Sequence, residues 1–200
     1  DWEKAFDKIS RPGLFSALER MNLPPKYLEV ISTLYDNPEF MVEIDGFTSE
    51  WFTQDTGIRQ GCPLSPYLFI IVMSVIFFDI EHDDHLRMSN HRPPRATYDA
   101  VLYADDTICI SMNAAALTRY LHAIEEESDK YGLKLNKKKC ETINTMRNPN
   151  IHFADGTKVK KTDEAKYLGC YINQKSDTNK EINRRLAETM FTMKRLDTFW

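Results

Sequence analysis

Two neighbouring carboxylates interrupt an apolar stretch near the middle of the chain. Asp105 and Asp106 lie in VLYADDTICI, residues 101–110, between the strand-like runs Tyr98–Tyr103 and Thr107–Ser111. An ionised carboxylate that is buried without a partner costs on the order of several kcal/mol. The pattern therefore predicts a hairpin whose turn aims both side chains toward one place, either as a solvated turn or as ligands of a metal cation.

A second acidic segment opens the chain as DWEKAFD, residues Asp1–Asp7. Alone, it indicates no more than a charged amphipathic segment. Mg²⁺, however, binds hard oxygen ligands, and carboxylates together with substrate phosphates complete its octahedral coordination. If folding brings Asp1 to Asp105, the two acidic segments together form a candidate magnesium site.

A glycine-containing loop, GIRQGCPLSP over Gly57–Pro66, precedes the most apolar part of the chain. Gly57 and Gly61 permit close backbone approach or unusual dihedral angles, and Gln60 supplies an amide. A proline at the end of the loop begins the next helix. The segment is either a plain connection before a helix or an element that faces a nucleotide.

Local signals predict helices and short strands around these motifs. Predicted helices begin after Ser10, after Pro24, at about Leu64, after Asn113 and at about Thr178. The second of them turns either Leu34 or Tyr35 inward. An Asp-Gly turn at 45–46 predicts a β-hairpin, and short strands are expected at 133–135, 141–146 and 167–172. The elements do not alternate as in a doubly wound sheet, so the sequence favours the α+β class.

The composition is that of a globular protein, with 42% hydrophobic and 28% charged residues, and this balance excludes a disordered tail. The four cysteines form no C-x-x-C pair, which argues against a zinc ribbon or a dense disulfide framework and favours reduced thiols in an intracellular protein. The apolar run Tyr67–Phe78 is shorter than the roughly 20 residues that span a bilayer. We therefore expect a buried core helix and no membrane.

Charge is distributed unevenly along the chain. Residues 1–130 hold 11 basic and 22 acidic side chains, whereas residues 131–200 hold 15 basic and 8 acidic ones. A basic final third on an acidic body is compatible with a track for a phosphate backbone beside an acidic metal site. It is equally compatible with an asymmetry of solvated faces.

Five motifs, taken in order, resemble the catalytic region of reverse transcriptases, in particular those of non-LTR (LINE-type) retrotransposons. The motifs are DWEKAFD at Asp1–Asp7, GIRQGCPLSPYLF at Gly57–Phe69, YADD at Tyr103–Asp106, GLKLNKKKCE at Gly132–Glu141 and KYLGCYI at Lys166–Ile172. The series covers nearly the whole chain. Its order and spacing are far more specific than any single motif.

The resemblance implies an RNA-directed DNA polymerase that joins a dNTP to the 3′-hydroxyl of a DNA primer on an RNA template. It assigns the catalytic carboxylates to Asp1, Asp105 and Asp106, which would hold two Mg²⁺ ions, with Mn²⁺ as a substitute. Two such ions would act on the attacking and leaving oxygens, so that positioning and electrostatics supply the catalysis.

The resemblance also assigns nucleotide-binding roles to residues of the first two motifs, namely Ala5, Phe6, Gln60 and Gly61. Phe6 matches the position of a bulky ring beneath the incoming sugar, where it leaves no room for a 2′-hydroxyl. A deoxynucleotide preference follows from that reading. The simpler interpretation is an ordinary core phenylalanine.

The fourth and fifth motifs carry two further implied roles. A lysine among residues 137–139 would protonate pyrophosphate, and Lys139 is the preferred catalytic candidate, although a solvated lysine run is the alternative. Tyr167, Leu168 and Gly169 match the primer grip, a turn in which glycine lets the backbone approach the primer strand.

For the fold, the resemblance implies a polymerase palm, an antiparallel sheet backed by helices, with part of the fingers. Residues 8–60 would connect fingers and palm, 61–172 would form the palm core and primer grip, and 173–200 would begin a thumb or connection helix. Further finger elements would precede Asp1 and a complete thumb would follow Trp200, so the chain would be truncated at both ends.

Two functions are therefore in competition, and a related enzyme, such as an intron-type or telomere-type reverse transcriptase, is a third option. The first is an active reverse transcriptase, working in the nucleus and cytoplasm within a retrotransposon ribonucleoprotein. The alternative is a catalytically inactive retroelement remnant that only binds nucleic acid. The carboxylates at Asp1, Asp105 and Asp106 favour the enzyme, because an unneeded and costly acidic side chain is readily lost.

Overall fold

The computed structural model describes residues 1–83, 93, 100–143, 150–175 and 177–196, and the following account concerns these residues. The helices are α1 (Ala5–Lys8), α2 (Arg11–Arg20), α3 (Pro25–Tyr35), α4 (Ser65–His82), α5 (Ala114–Asp129) and α6 (Thr178–Leu196). The strands are β1 (Glu39–Phe40), β2 (Glu43–Ile44), β3 (Phe47–Thr48), β4 (Phe52–Thr53), β5 (Ala100–Tyr103), β6 (Asp106–Cys109), β7 (Glu141–Thr142), β8 (Lys160–Lys161), β9 (Glu164–Tyr167) and β10 (Cys170–Asn173). Helices and small sheets are mixed, as the α+β class requires.

The hydrophobic core is built around α4. Its buried side chains pack between α2 and α5, with Leu18 and Ile76 fully buried. Arg20 of α2 donates to Asp79 Oδ2 of α4 at 2.7 Å and to the Tyr131 hydroxyl at 3.0 Å. This interaction ties two core helices to the loop that follows α5.

Local signals for helix ends are confirmed. Ser10 precedes α2 and its Oγ accepts the Gly13 N–H at 3.2 Å. Asn113 precedes α5 and its Oδ1 accepts the N–H groups of the second and third helical residues at 2.9 and 3.1 Å. On α3, Tyr35 is the inward-facing residue and Leu34 is exposed.

The strands form two-stranded ladders in the described part of the chain. Four ladders are antiparallel, and β7–β8 is parallel. Asp45 and Gly46 both have positive φ, at 51° and 81°, which is the type I′ geometry of a tight hairpin. The predicted β2–β3 hairpin is therefore confirmed.

Three strand predictions need correction, and one of them, the strand expected at 133–135, is only an isolated bridge at Leu135. The structure places Ala104 and Asp105 in the turn between β5 and β6, while Asp106 is the first residue of β6 and pairs with Tyr103. Residues 98 and 99 lie outside the described residues, as does the end of the strand expected at 141–146. The run 167–172 is not one strand, because a turn at 168–169 folds it into the β9–β10 hairpin.

By length and composition alone, α4 could span a bilayer, since its 18-residue window has a mean hydropathy of 1.4. Half of that window is buried within the protein. The core helix of a protein outside the membrane has the same properties, so this is weak evidence for a membrane span. The packing of α4 between α2 and α5 fits the expected core helix.

Candidate active site

The Asp1–Asp7 segment is held on one side by the glycine loop. Ile58 N–H donates to the Phe6 carbonyl at 2.7 Å, and Gly57 N–H donates to the Ile9 carbonyl at 2.8 Å. The Thr56 hydroxyl donates to the Asp7 carbonyl at 3.1 Å. Folding therefore docks the second sequence motif directly against the first.

Gly57 permits this close approach. Its φ is +81°, and a Cβ built on it would lie 2.6 Å from the Phe6 oxygen and 2.7 Å from the Asp7 Cα. Backbone atoms cannot move aside as a flexible side chain can, so only glycine fits. Gly61 has the same φ, but no atom lies within 4 Å of its built Cβ, so only its dihedral angle favours glycine.

On the other side, the chain start pairs with the lysine-rich motif. Glu3 N–H donates to the Lys134 carbonyl at 2.8 Å, and Asn136 N–H donates to the Asp1 carbonyl at 3.0 Å. Trp2, which is buried, forms an antiparallel bridge with Leu135. Three motifs that are far apart in sequence thus meet at the first residues of the chain.

The lysines at 137–139 differ in their surroundings. Lys139 Nζ lies 3.4 Å from Asp1 Oδ2. Lys137 Nζ instead binds Asp155 Oδ2 at 2.8 Å and Glu125 Oε1 at 3.2 Å, and these hydrogen bonds, Asp155 first, raise the pKa of Lys137. Lys139 is therefore the lysine beside the candidate catalytic carboxylate, whereas Lys137 ties its loop to α5.

The nucleotide-binding candidates of the first two motifs cluster at α1. Ala5 is buried and Phe6 is half-buried, with its ring stacked on Phe69 at a centroid distance of 5.1 Å. Gln60 Nε2 donates to Asp7 Oδ1 at 2.9 Å. Phe6 thus has one face against α4 and is not fully enclosed.

The Asp105–Asp106 pair lies on the tight β5–β6 hairpin. Asp105 is exposed in the turn, and Asp106 is half-buried at the start of β6. Ala104 has a φ of +50°, and a positive φ at the first of two turn residues is the type II′ pattern, which favours glycine. The turn therefore contains a non-glycine residue in the left-handed region.

The primer-grip candidates form a second tight turn. Leu168 and Gly169 have φ values of +48° and +81° and join β9 to β10. The Tyr167 hydroxyl is buried and has no hydrogen-bond partner among the described residues. Burial raises the pKa of Tyr167, and the charge of Asp106 raises it further, so the two hairpins lie close enough to interact electrostatically.

The candidate metal ligands have the right chemistry but are not assembled. Carboxylate oxygens are the ligands that Mg²⁺ prefers, and the Asp1 carboxylate already pairs with a cation, Lys139. The structure pairs Asp1 with Lys139, and Asp106 affects Tyr167 only through its charge. Across residues 1–83, 93, 100–143, 150–175 and 177–196, however, no three His, Cys, Asp or Glu side chains converge closely enough to hold an ion.

Sequence reasoning missed the partners of the site residues. Asp7 was part of the first motif without an assigned role, yet its side chain holds Gln60. Phe69 supports Phe6, and Asp155 and Glu125 engage Lys137. The sequence offered one usable signal for these partners. Asp7 is an acid and Gln60 an amide, and they lie in two motifs that were both expected to contribute to one site.

The chain belongs to the reverse transcriptase family, because the family described as reverse transcriptase (RNA-dependent DNA polymerase) matches residues 1–172. The predicted resemblance is thereby confirmed, and the similar proteins are those of non-LTR retrotransposons.

Two relatives illustrate this similarity. The Retrovirus-related Pol polyprotein from type-2 retrotransposable element R2DM of Drosophila melanogaster is 28% identical over 181 residues, which cover 84% of this chain and 17% of that protein. The RNA-directed DNA polymerase from mobile element jockey of Drosophila funebris is 27% identical over 179 residues, covering 87% of this chain and 19% of that protein. The chain thus spans about a fifth of the length of these curated relatives.

Proposed function

We propose that the chain is the catalytic part of an RNA-directed DNA polymerase, which adds a dNTP to the 3′-hydroxyl of a DNA primer paired with an RNA template. One observation carries this proposal. Hydrogen bonds hold the Asp1–Asp7 segment on both sides. On one side they join it to residues 56–60, at the start of the glycine loop, and on the other to residues 134–136 of the lysine-rich motif. The segment carries the Asp1 carboxylate and the Phe6 ring, and it contacts the Gln60 amide on one side and Lys139 on the other.

Asp1, Asp105 and Asp106 are proposed to hold two Mg²⁺ ions, for which Mn²⁺ would substitute. When bound, such ions lower the pKa of an attacking hydroxyl and neutralise charge on a leaving group. The chain's own contribution is to fix Asp1 through its backbone and to keep Asp105 exposed in a turn. Because the described carboxylates do not converge into a three-ligand site, the triphosphate of the substrate is proposed to complete the coordination.

The nucleotide is proposed to bind over α1 and the glycine loop, at Ala5, Phe6, Gln60 and Gly61. The Phe6 ring, which is held by Phe69, would exclude a 2′-hydroxyl. No atom lies within 4 Å of a Cβ built on Gly61, so a ligand can approach the backbone from that side. Ribonucleotide incorporation as fast as dNTP incorporation by the wild-type protein would contradict the role of Phe6.

Two further groups are proposed to act on the leaving group and the primer. The Lys139 ammonium, beside Asp1, would donate a proton to the departing pyrophosphate. Tyr167, Leu168 and Gly169 would grip the primer, and this role is supported by the tight β9–β10 turn at 168–169, where glycine lets the backbone approach a strand.

The domain assignment and the cellular setting are also proposals. Residues 8–60 would link fingers and palm, 61–172 would form the palm and 173–200 would begin the thumb or a connection helix. The protein would act in the nucleus and cytoplasm within a retrotransposon ribonucleoprotein, without a membrane. The second candidate function, a remnant that binds nucleic acid without turnover, is favoured only by the lack of an assembled ion site among the described residues.

The test is primer extension on an RNA template with Mg²⁺ and dNTPs, using protein expressed from its whole reading frame. Asp105→Asn should lower extension by at least about a thousandfold, since a neutral amide is a weak ligand for Mg²⁺, while RNA binding stays within about twofold. Asp45→Asn in the β2–β3 turn is the matched control and should leave extension unchanged. If Asp105→Asn extends the primer as fast as the wild-type protein, the metal role is refuted. If the wild-type protein binds RNA but does not extend the primer, the inactive remnant is favoured.

A further inference from the structure

The Asp7 carboxylate bonds the Gln60 amide, although neither side chain is buried. We propose that Asp7 is a positioning residue that fixes which end of the Gln60 amide faces the bound nucleotide. This inference rests on the proposed function for the identity of the ligand. The bond itself rests on the structure alone.

The backbone on both sides of this bond is fixed. The Asp7 carbonyl accepts the Thr56 hydroxyl at 3.1 Å, and the adjacent Phe6 carbonyl accepts the Ile58 N–H at 2.7 Å. Gly57 packs against Asp7 so closely that no Cβ would fit. The distance between the backbones that carry Asp7 and Gln60 is therefore set, and the 2.9 Å side-chain bond forms between two anchored segments.

The chemistry of the two side chains decides the orientation of the amide. An ionised carboxylate only accepts hydrogen bonds, whereas an amide presents an accepting oxygen at one end and a donating NH₂ at the other. The NH₂ of Gln60 must therefore face Asp7, which leaves the Oε1 oxygen for the ligand. Gln60 then reads a hydrogen-bond donor of the nucleotide, such as a hydroxyl or an amino group.

This arrangement links two recognition elements. Phe6 and Asp7 are neighbours on α1, so the ring that would exclude a 2′-hydroxyl and the carboxylate that orients the amide move together. A change at Asp7 would alter nucleotide binding without direct contact to the nucleotide. The expected signature is a change in KM for dNTP that is larger than the change in kcat, since the amide contributes to binding the substrate rather than to the chemical step.

The test is a reciprocal exchange of the pair, D7N, Q60E and D7N/Q60E, measured by steady-state primer extension and by equilibrium binding of a dNTP with Mg²⁺. Q60E places two carboxylates side by side, so the KM for dNTP should rise at least about tenfold while kcat changes less. D7N should raise the KM about threefold, because an amide at position 7 no longer enforces one orientation.

The double variant shows whether Asp7 acts by orienting the side chain at position 60 or only through its negative charge. In D7N/Q60E the amide at position 7 donates to the carboxylate at position 60, which still presents an acceptor to the nucleotide. Its KM should return to within about threefold of the wild-type value. D55N, which removes an exposed carboxylate from the segment before the glycine loop, is the control and should match wild type.

Each other outcome overturns the proposal. If the KM for dNTP of D7N/Q60E is as high as that of Q60E, Asp7 does not orient the amide. The same conclusion follows if D7N has the KM of the wild-type protein. Rescue seen in thermal unfolding but not in KM would leave only a structural role. A wild-type protein that neither extends a primer nor binds dNTP would refute the proposed function, whereas normal extension with an unmoved KM in all variants would refute the role of Asp7 alone.

Discussion

The two sources of carboxylates at the candidate site are held in different ways. Asp1 lies in a segment whose backbone is hydrogen-bonded to two other parts of the chain and whose neighbours Trp2, Ala5 and Ile9 are buried. The Asp105–Asp106 hairpin is held by its own β5–β6 ladder, and its turn is exposed. The Asp1 segment, which is built into the core, is here called the rigid side, and the exposed Asp105–Asp106 turn is called the projecting side.

This difference has an electrostatic reason. Like charges that are brought together without a cation repel each other and raise each other's pKa. Asp1 is instead accompanied by Lys139, while the exposed turn leaves Asp105 in water, where a charge costs little. Neither carboxylate is therefore an uncompensated buried charge.

The largest effect is expected from breaking the rigid side at Gly57. Gly57→Ala forces a Cβ to within 2.7 Å of backbone atoms of Phe6 and Asp7 at a φ of +81°. The free energy of unfolding should fall by at least about 3 kcal/mol, because strain and a backbone clash add. Urea unfolding followed by circular dichroism measures the change, and extension should fall with it.

Gly46→Ala separates these two contributions. Gly46 has the same φ of +81°, but no atom lies within 4 Å of its built Cβ. The substitution should cost only about 1 kcal/mol, the price of a side chain in the left-handed region. Equal losses in the two variants would mean that the docking of Asp1–Asp7 against the glycine loop contributes nothing to stability.

The same contrast explains what the sequence could and could not predict. The caps at Ser10 and Asn113 and the Asp45-Gly46 turn were predicted, because each depends on bonds within a few residues. The local pattern predicts one strand over 167–172, since Leu168 is apolar and apolar residues rarely adopt a positive φ. Only the family resemblance marks 167–169 as a turn, and the structure has the turn at Leu168 and Gly169.

Tertiary partners were beyond local rules. The motif order identified Asp1, Gln60 and Lys139 as site candidates, but nothing in the spacing indicated that Asp7 would bond Gln60 or that Lys137 would turn toward α5. Side chains of one type in a run, such as the lysines at 137–139, look alike in sequence. They acquire different roles only when the fold gives each a different neighbour.

A smaller effect is expected at the lysine that faces the rigid side. Lys139→Ala should slow extension about tenfold, at the low end for a proton donor because water can also supply the proton, with unfolding unchanged since Lys139 is exposed. Lys137→Ala is the matched control. It should keep the extension rate and lower the stability by less than about 1 kcal/mol, as measured by single-turnover extension and urea unfolding. The reverse pattern would reassign the two lysines.

The smallest effect is expected on the projecting side, and with the opposite sign. Ala104 has a φ of +50° in the β5–β6 turn, where a side chain costs about 1–2 kcal/mol. Ala104→Gly removes that cost but adds about 0.5–1 kcal/mol of chain entropy in the unfolded state, so the net gain in stability should be at most about 1 kcal/mol. Ala100→Gly, in the strand of the same hairpin, should instead destabilise the protein by about 1 kcal/mol. Denaturant midpoints and amide hydrogen exchange in β5 and β6 measure both variants. A loss of stability in Ala104→Gly would show that the turn is not strained. The contrast between this hairpin and the segment that carries Asp1 would then not extend to their backbone strain.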